Sequence, residues 1–489
     1  MSDKPPHIIL IMTDQQRADT IGALGAPWMK TPVLDRMARE GVAFKECFVT
    51  SPVCVGARAS LFTGKYPHGC QIFSNFQPWQ PTWVKMLADT GYHCVNIGKM
   101  HINPYDAPGG FHQRLFMENK DRPMFLGERD RAIYDEWDKA LHARKLEKPS
   151  RYNRHAKDPE GYKKALGAFV WDLDEDMHPD HFIGDTVCWW LKDRQNTDPL
   201  FLQIGFPGPH PPYDPTAEAL AEYADVDIPV PDVTDEELAA QPRAQRQLRD
   251  NMIEFNFDSI AWKNKPSREE LLRIRRHYAA NVTMIDTQIG RILETLDEQG
   301  YLDNALVIFT SDHADALGDH GHIQKWTMYD TVLRVPLICW SKNMNLVPGT
   351  REELVQMFDV APTILETAGV KIPHDFEAKS LVGSLYQRAD HQPREAVYSE
   401  LSRDHIQTGA EFIMMRRDEK WKIVLYLDDT YGELYDLKAD PHEKKNLWTD
   451  DSLAETRERL RADSLLWLAR GGLNANRPPS RAPQQPMRV

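Results

Sequence analysis

Short apolar runs separated by longer amphipathic stretches set the pattern of this chain. The clearest runs are HIILIM (7–12), HCVNI (93–97), LFLQIGF (200–206) and ALVIFT (305–310). Near-continuous apolar runs of this length read as strands buried on both faces of a parallel sheet. Between them, helical patterns run over 33–40, 81–90, 182–193 and 268–298. In the longest, Leu271, Leu272, Ile274, Ile285, Ile289, Ile292 and Leu293 are interleaved with charge. Strands alternating with helices predict an α/β fold, with a large doubly wound, mostly parallel sheet flanked by helices.

Two stretches break the alternation. Residues 104–180 and 214–262 are polar and irregular, rich in charge, proline and aromatics. Loops that long are usually lids or substrate-binding insertions, so both are expected to line a pocket. The aromatics Trp137, Trp171, Trp189, Trp190 and Tyr213 are read as core residues rather than stacking platforms. Past about residue 390, AVYSEL, EFIMMRR, WKIVLYL and GELYDL read as short strands, followed by a helix over 452–469. The expected organisation is a large α/β domain over 1–390 and a small α+β domain with a short antiparallel sheet over 391–474. A tail over 475–489, where apolar periodicity is lost, completes the chain.

At 489 residues there is ample chain for these two domains. A hydrophobic share of 41% and a charged share of 27% describe a soluble globular protein. The net charge of −14, with no long Lys/Arg block, argues against a nucleic-acid partner. It leaves room for a locally basic pocket that takes a small anion. The apolar run in MSDKPPHIILIMTD is too short for a signal sequence, and no stretch has transmembrane length, so no membrane partner is expected. Six scattered cysteines (47, 54, 70, 94, 188, 339) without a CxxC pair fit a reduced, cytoplasmic protein.

The residues just past each strand are more specific. HIILIM runs into Asp14 and Gln15, HCVNI into Lys99 and His101, LFLQIGF into His210, and ALVIFT into Asp312 and His313. In open α/β sheets the ligand site lies beyond the carboxyl ends of the strands, so four strands deliver these groups to one edge. An Asp after a strand is commonly a helix N-cap, but four coincidences at one topological place are hard to assign to capping. Asp14, Gln15, Asp312 and His313 read as a metal site of two carboxylates, an amide oxygen and an imidazole. The imidazole favours Mn2+ or another transition metal, with Ca2+ left open. Lys99 and Lys325 are candidates for holding an anion. His210, in PHPPY, is either an aimed general acid or part of a rigid turn.

Cys54 lies in CVGARASLFTG, read as a loop entering a helix near Ala57, with Arg58 close by. A cysteine at a helix N-terminus has a depressed pKa. A cysteine nucleophile would want a histidine base. The other residues instead offer a metal and several cations, which suit an oxygen nucleophile and an anionic ester.

These residues, taken in order, resemble the formylglycine-dependent sulfatases and the related phosphonate monoester hydrolases of the alkaline-phosphatase superfamily. The resemblance runs nearly end to end: TDQQRAD, TPVLDRMAREGVAF, CVGARASLFTGKYPH, GKMH, PHPPY, SDHADALGDHG, KWTMYDTVLRVPLI, DVAPTILETAG and ELYDLKADPHEKKNL. It implies that a separate formylglycine-generating enzyme oxidises Cys54 to Cα-formylglycine. It also implies that the hydrated aldehyde, a geminal diol, binds one divalent metal ion (Ca2+ or Mn2+) through one oxygen and attacks sulfur or phosphorus in line. Cys54 thus counts as both nucleophile and metal ligand. By the same resemblance Arg58 stabilises the diol and His101 collapses the resulting ester. Lys99 and Lys325 hold the nonbridging oxygens, and His210 serves the leaving group. Relatives are often dimers or tetramers, so a homo-oligomer is expected.

Gly56 stands where the family usually has Pro or Ala, and Ala57 where Ser is common. The Gln15/His313 metal pair is similar to that of phosphonate monoester hydrolases and choline sulfatases, whereas GKMH keeps a sulfatase arrangement. Three readings are open: a sulfatase for a small organic sulfate monoester, a phosphonate monoester or phosphodiester hydrolase, and a non-catalytic binding protein with Cys54 left as a thiol.

Overall fold

The computed structural model describes residues 4–75, 77–79, 81–118, 135–195, 198–255, 259–402 and 408–475. The expected tail beyond 475 and residues 119–134 of the first insertion lie outside these described residues. Among the described residues eight strands form the main sheet: β1 (His7–Asp14), β2 (Val42–Phe48), β3 (His93–Gly98), β4 (Gln113–Phe116), β5 (Leu200–Pro209), β6 (Ala305–Ser311), β7 (Leu337–Trp340) and β8 (Gly349–Gln356). Their order is β4-β3-β5-β1-β6-β7-β2-β8. Pairing is parallel throughout except at β7, which is antiparallel to β6 and to β2. The expected α/β fold is therefore present, with one reversed strand in a mostly parallel sheet.

Alternation within β1 explains why its run is apolar throughout. Ile8, Leu10 and Met12 enter one core with Phe201 and Ile308. Ile9 and Ile11 enter the other with Leu202, Ile204 and Val307. Successive side chains point to opposite faces, so a sheet covered on both sides needs both sets apolar.

The helix Arg268–Glu298 starts at a capping box in which Ser267 and Glu270 exchange side-chain and backbone bonds. Ile274 and Tyr278 pack into the first core, and Ile285, Ile289 and Ile292 into the second. The helices expected over 33–40 and 182–193 are found at Pro32–Glu40 and Pro179–Lys192. The one expected over 81–90 shrinks to Val84–Ala88, closed off by Gly91 at a φ of 96°. β2, β4 and β8 escape a search for apolar runs because each carries charged residues.

The two insertions are less irregular than the sequence implies. Short helices at Glu136–Ala143, Arg151–Lys157, Pro159–Ala165, Ala217–Ala221 and Asp235–Ala239 start at Asp135, Ser150, Asp158, Thr216 and Thr234. Each of those side chains accepts from a backbone N–H of the first turn, so the polar residues that made these stretches look like loops are helix caps. Trp137, Trp171, Trp190 and Tyr213 are buried as expected. Trp189 is not: it is 59% exposed, on the outer face of the helix whose inner face buries Trp190.

β9 (Val397–Ser402), β10 (Phe412–Arg417), β11 (Trp421–Tyr426) and β12 (Glu433–Asp436) form an antiparallel sheet in the order β12-β11-β10-β9. The helix Ala454–Ala475 packs on it through Leu460, which joins Ile423 and Leu434. Among the described residues no helix is long and apolar enough to cross a membrane.

Candidate active site

β3, β5, β1 and β6 are consecutive neighbours and all parallel, so the groups just past them share one edge of the sheet. β2 runs in the same direction, because β7 is antiparallel to both β6 and β2. Its exit carries Cys54 to that edge too. The helix there begins at Cys54 rather than near Ala57 and runs Cys54–Thr63. Val53 at the N-cap makes no side-chain cap bond, so the usual start signal is missing from the sequence. Cys54 consequently occupies the first helical position, at the positive end of the helix dipole.

Ligand atoms of Asp14, Cys54, Asp312 and His313 all lie within 4.8 Å of one another, and all four residues are buried. Cys54 Sγ is 3.0 Å from His313 Nε2 and 3.7 Å from Asp14 Oδ1. Lys325 Nζ donates to the same sulfur at 3.1 Å. Arg58 Nε donates to Asp312 Oδ2 at 2.7 Å and its Nη1 to the carbonyl of Lys99 at 3.1 Å. Lys99 is ion-paired with Asp14.

Two histidines are oriented by carbonyls. His313 Nδ1 is 3.0 Å from the carbonyl of Ala314, which turns Nε2 into the cluster. His210 Nδ1 is 2.9 Å from the carbonyl of Pro211, with Nε2 3.3 Å from Lys325 Nζ. His101 joins through the backbone two residues beyond Lys99. Its N–H donates to Glu118, and its Nε2 lies 2.9 Å from Asn75 Oδ1.

The electrostatics result from this crowding. Burial pushes the Asp14 carboxyl up, but Lys99, His210, Arg58 and His313 outweigh it and hold Asp14 well below the usual carboxylate range. Burial lowers His313, yet Asp312 and Cys54 lift it to about 9. Burial and Asp14 oppose ionisation of Cys54, while Lys325, His313 and Lys99 bring its thiol below the ordinary value.

The donor set fits a divalent cation. It offers two carboxylates, an imidazole turned inward and, beside them, Gln15 Oε1, a buried acceptor with no hydrogen-bond partner among the described residues. The Gln15 backbone N–H donates to Asp312 Oδ1 at 3.0 Å, tying the β1 and β6 exits together. Backbone strain gathers at the same place. Gln15 (φ 72°), His101 (φ 72°), Gln324 (φ 62°) and Trp326 (φ 76°) all occupy the left-handed region. Non-glycine residues persist there only when their surroundings over-determine them.

Several residues that build the site escape a reading of strand exits. Asp315 bonds Gln15 and Tyr213, Tyr278 bonds the Gln15 carbonyl, and Glu118 and Asn75 hold His101. Asp315 had a signal, being the second of three carboxylates in SDHADALGDHG. Asn75 and Glu118 had none.

A family model described as Sulfatase matches residues 6–370. A second, described as N-sulphoglucosamine sulphohydrolase, C-terminal, matches residues 318–467. An arylsulfatase of Clostridium perfringens is 29% identical, with 93% of each chain covered. A choline-sulfatase of Rhizobium meliloti is 28% identical, covering 91% of this chain and 83% of its own. The crystal structure of a phosphonate monoester hydrolase of Agrobacterium radiobacter superimposes with a TM-score of 0.77 at 25% identity, covering 96% of each chain.

Proposed function

This chain belongs to the sulfatase family, and from that premise we propose that it hydrolyses a small organic sulfate monoester, aryl or alkyl, after maturation of Cys54 to Cα-formylglycine. The observation that carries this reading is the surroundings of Cys54: Lys325 and His313 within 3.1 Å of its sulfur, Asp14 beside it, and Arg58 bridging to Asp312. The sulfur marks where the hydroxyls of a hydrated aldehyde would stand.

Asp14, Gln15, Asp312 and His313 would hold one divalent cation, Ca2+ or Mn2+, which when bound supplies Lewis-acid charge next to the nucleophile. Lys99 and Lys325 bring ammonium groups to the nonbridging oxygens of a singly charged ester, at no solvent reorganisation during reaction. Arg58 neutralises Asp312 and orients it. His210, its Nδ1 engaged by a carbonyl, presents Nε2 with Lys325 to the leaving oxygen. His101, held by Asn75 and Glu118, is the base that returns the nucleophile to its resting form.

The Gln15/His313 pair favours a second reading, a phosphonate monoester hydrolase using the same cations. Protein produced with and without a formylglycine-generating enzyme tests both. Peptide mass spectrometry over residues 46–58 is expected to find an aldehyde at Cys54 and not at Cys47. For the matured protein, kcat/KM is expected to be at least about tenfold higher for an aryl sulfate than for an aryl phosphonate monoester. The reverse preference replaces the first reading by the second. A thiol in both samples removes the formylglycine chemistry.

A further inference from the structure

Asp315 is fully buried and takes no part in the chemistry proposed for the site, yet it gathers four donors. Its Oδ2 accepts from Gln15 Nε2 at 2.6 Å and from the Tyr213 hydroxyl at 2.6 Å. Its Oδ1 accepts from the backbone N–H of Leu317 at 2.9 Å and of Gln324 at 2.8 Å. One carboxylate thus ties together the exit of β1, the loop after His210, and the residue preceding Lys325.

The consequence for Gln15 is chemical. An amide side chain has a donor end and an acceptor end of nearly the same shape, and its partners decide which way it faces. A carboxylate only accepts, so Gln15 must turn Nε2 to Asp315. Oε1 is then left as the buried atom without a hydrogen-bond partner among the described residues. Facing the other way, Gln15 would set an N–H donor where a cation needs an oxygen.

We infer that Asp315 is a positioning residue that orients the Gln15 amide oxygen-first toward the cation, while holding the Lys325 loop through Gln324. This rests on the proposal that Asp14, Gln15, Asp312 and His313 hold a divalent cation.

Asp315→Asn makes the prediction sharp. The substituted amide keeps its oxygen on the two backbone N–H groups of Leu317 and Gln324. Its NH2 group then replaces the carboxylate Oδ2 against Gln15 Nε2, and the Gln15 amide inverts. Adding Gln15→Glu repairs the match, because one oxygen of the new carboxylate accepts from that NH2 group and the other serves the cation. Gln15→Glu alone sets a carboxylate against Asp315 with no proton between them.

The experiment is a double-mutant cycle on metal-free protein titrated with CaCl2 and with MnCl2 by calorimetry. Circular dichroism on each variant checks the fold. Both single variants are expected to bind metal at least about tenfold more weakly than wild type, and D315N/Q15E within about threefold of it. A simple gain of negative charge would instead make Q15E the tightest binder, and that result overturns the inference. So does D315N binding like wild type, or the double variant binding no better than D315N. If D315N does not fold, the double variant decides: folding with near wild-type affinity supports the inference, and failing in either overturns it. Wild-type protein that binds neither metal removes the cation reading and this inference with it. Wild-type binding beside an unaffected D315N removes this inference alone.

Discussion

Arg58 is a guanidinium with no exposure to solvent, set between two carboxylates. Burial alone would weaken its charge, but Asp312 and Asp14 raise its pKa further above the usual range. It also donates to the Lys99 carbonyl, so the fork spans three strand exits. Arg58→Met keeps much of the volume and leaves Asp312 and Asp14 short of a cation. Removing one partner of a buried pair typically costs about 3–5 kcal/mol. Urea unfolding of metal-free R58M is expected to register a loss of that order, with kcat/KM of matured enzyme down at least about 100-fold. Arg58→Lys is expected to recover little, because an ammonium cannot reach Asp312 and the Lys99 carbonyl together. A metal-free R58M as stable as wild type would mean that Asp312 is compensated from elsewhere.

At the scale of the element, the helix Cys54–Thr63 is buried along its whole length and ends at Gly64 in the left-handed region. Gly56 sits in its first turn, where a glycine normally costs up to about 1 kcal/mol relative to alanine. The packing reverses that preference. A Cβ on Gly56 would stand 2.7 Å from Ser51 Oγ and 2.9 Å from Ser51 Cβ. Ser51 is buried and cannot step aside freely. Gly56→Ala is therefore expected to lower stability by about 1–3 kcal/mol. Ser51→Gly in the same chain makes room, so S51G/G56A should be more stable than G56A. Thermal denaturation of the three proteins checks this, and an alanine at 56 that stabilises on its own would rule out the clash. The departure of Gly56 from the usual family residue thus has a local partner in Ser51. β1, β3, β5 and β6 were readable because their apolar runs are continuous, whereas β2, which delivers Cys54, carries Lys45 and Glu46. The start of this helix was not readable, because Val53 lacks a capping side chain.

Across the whole molecule, the small sheet is joined to the large one by buried charge. Lys422 lies between Asp330 at 2.8 Å and Glu443 at 2.5 Å, and Arg417 between Asp330 at 3.0 Å and Glu46 at 2.7 Å. A second joint is expected to respond to pH. Glu400 of β9 accepts from His68 Nδ1 at 2.8 Å, beside the stacked Tyr66 ring and Trp467 of the final helix. Burial lowers His68, but the Glu400 hydrogen bond and charge outweigh it, and its pKa rises above the ordinary 6.5. A group whose folded-state pKa is raised binds more protons folded than unfolded, so its contribution is complete below the unfolded value. That contribution is lost as pH rises through the folded one. Replacing Glu400 by Gln removes it. The Tm difference between wild type and E400Q is expected to be a few degrees at about pH 5.5 and to shrink by about pH 9. A difference independent of pH would show that the pair is not protonated in the folded protein.

The positions of β1, β3, β5 and β6 and the polar residues at their ends were settled by the sequence alone, since both are local. A run buried on two faces is apolar residue by residue, and the residue at its end is its neighbour in the chain. Asp14, Lys99, His210 and Asp312 could therefore be assigned to one sheet edge before any contact was known. Tertiary structure decided what they do to one another. Cys54 meets His313 across 259 residues and Lys325 across 271. Asp315 meets Gln15 across 300. Contacts of that range leave no periodicity in the chain. They exist because β3, β5, β1 and β6 lie side by side with β2 in the same direction, an order fixed by packing and by loop closure rather than by any single segment.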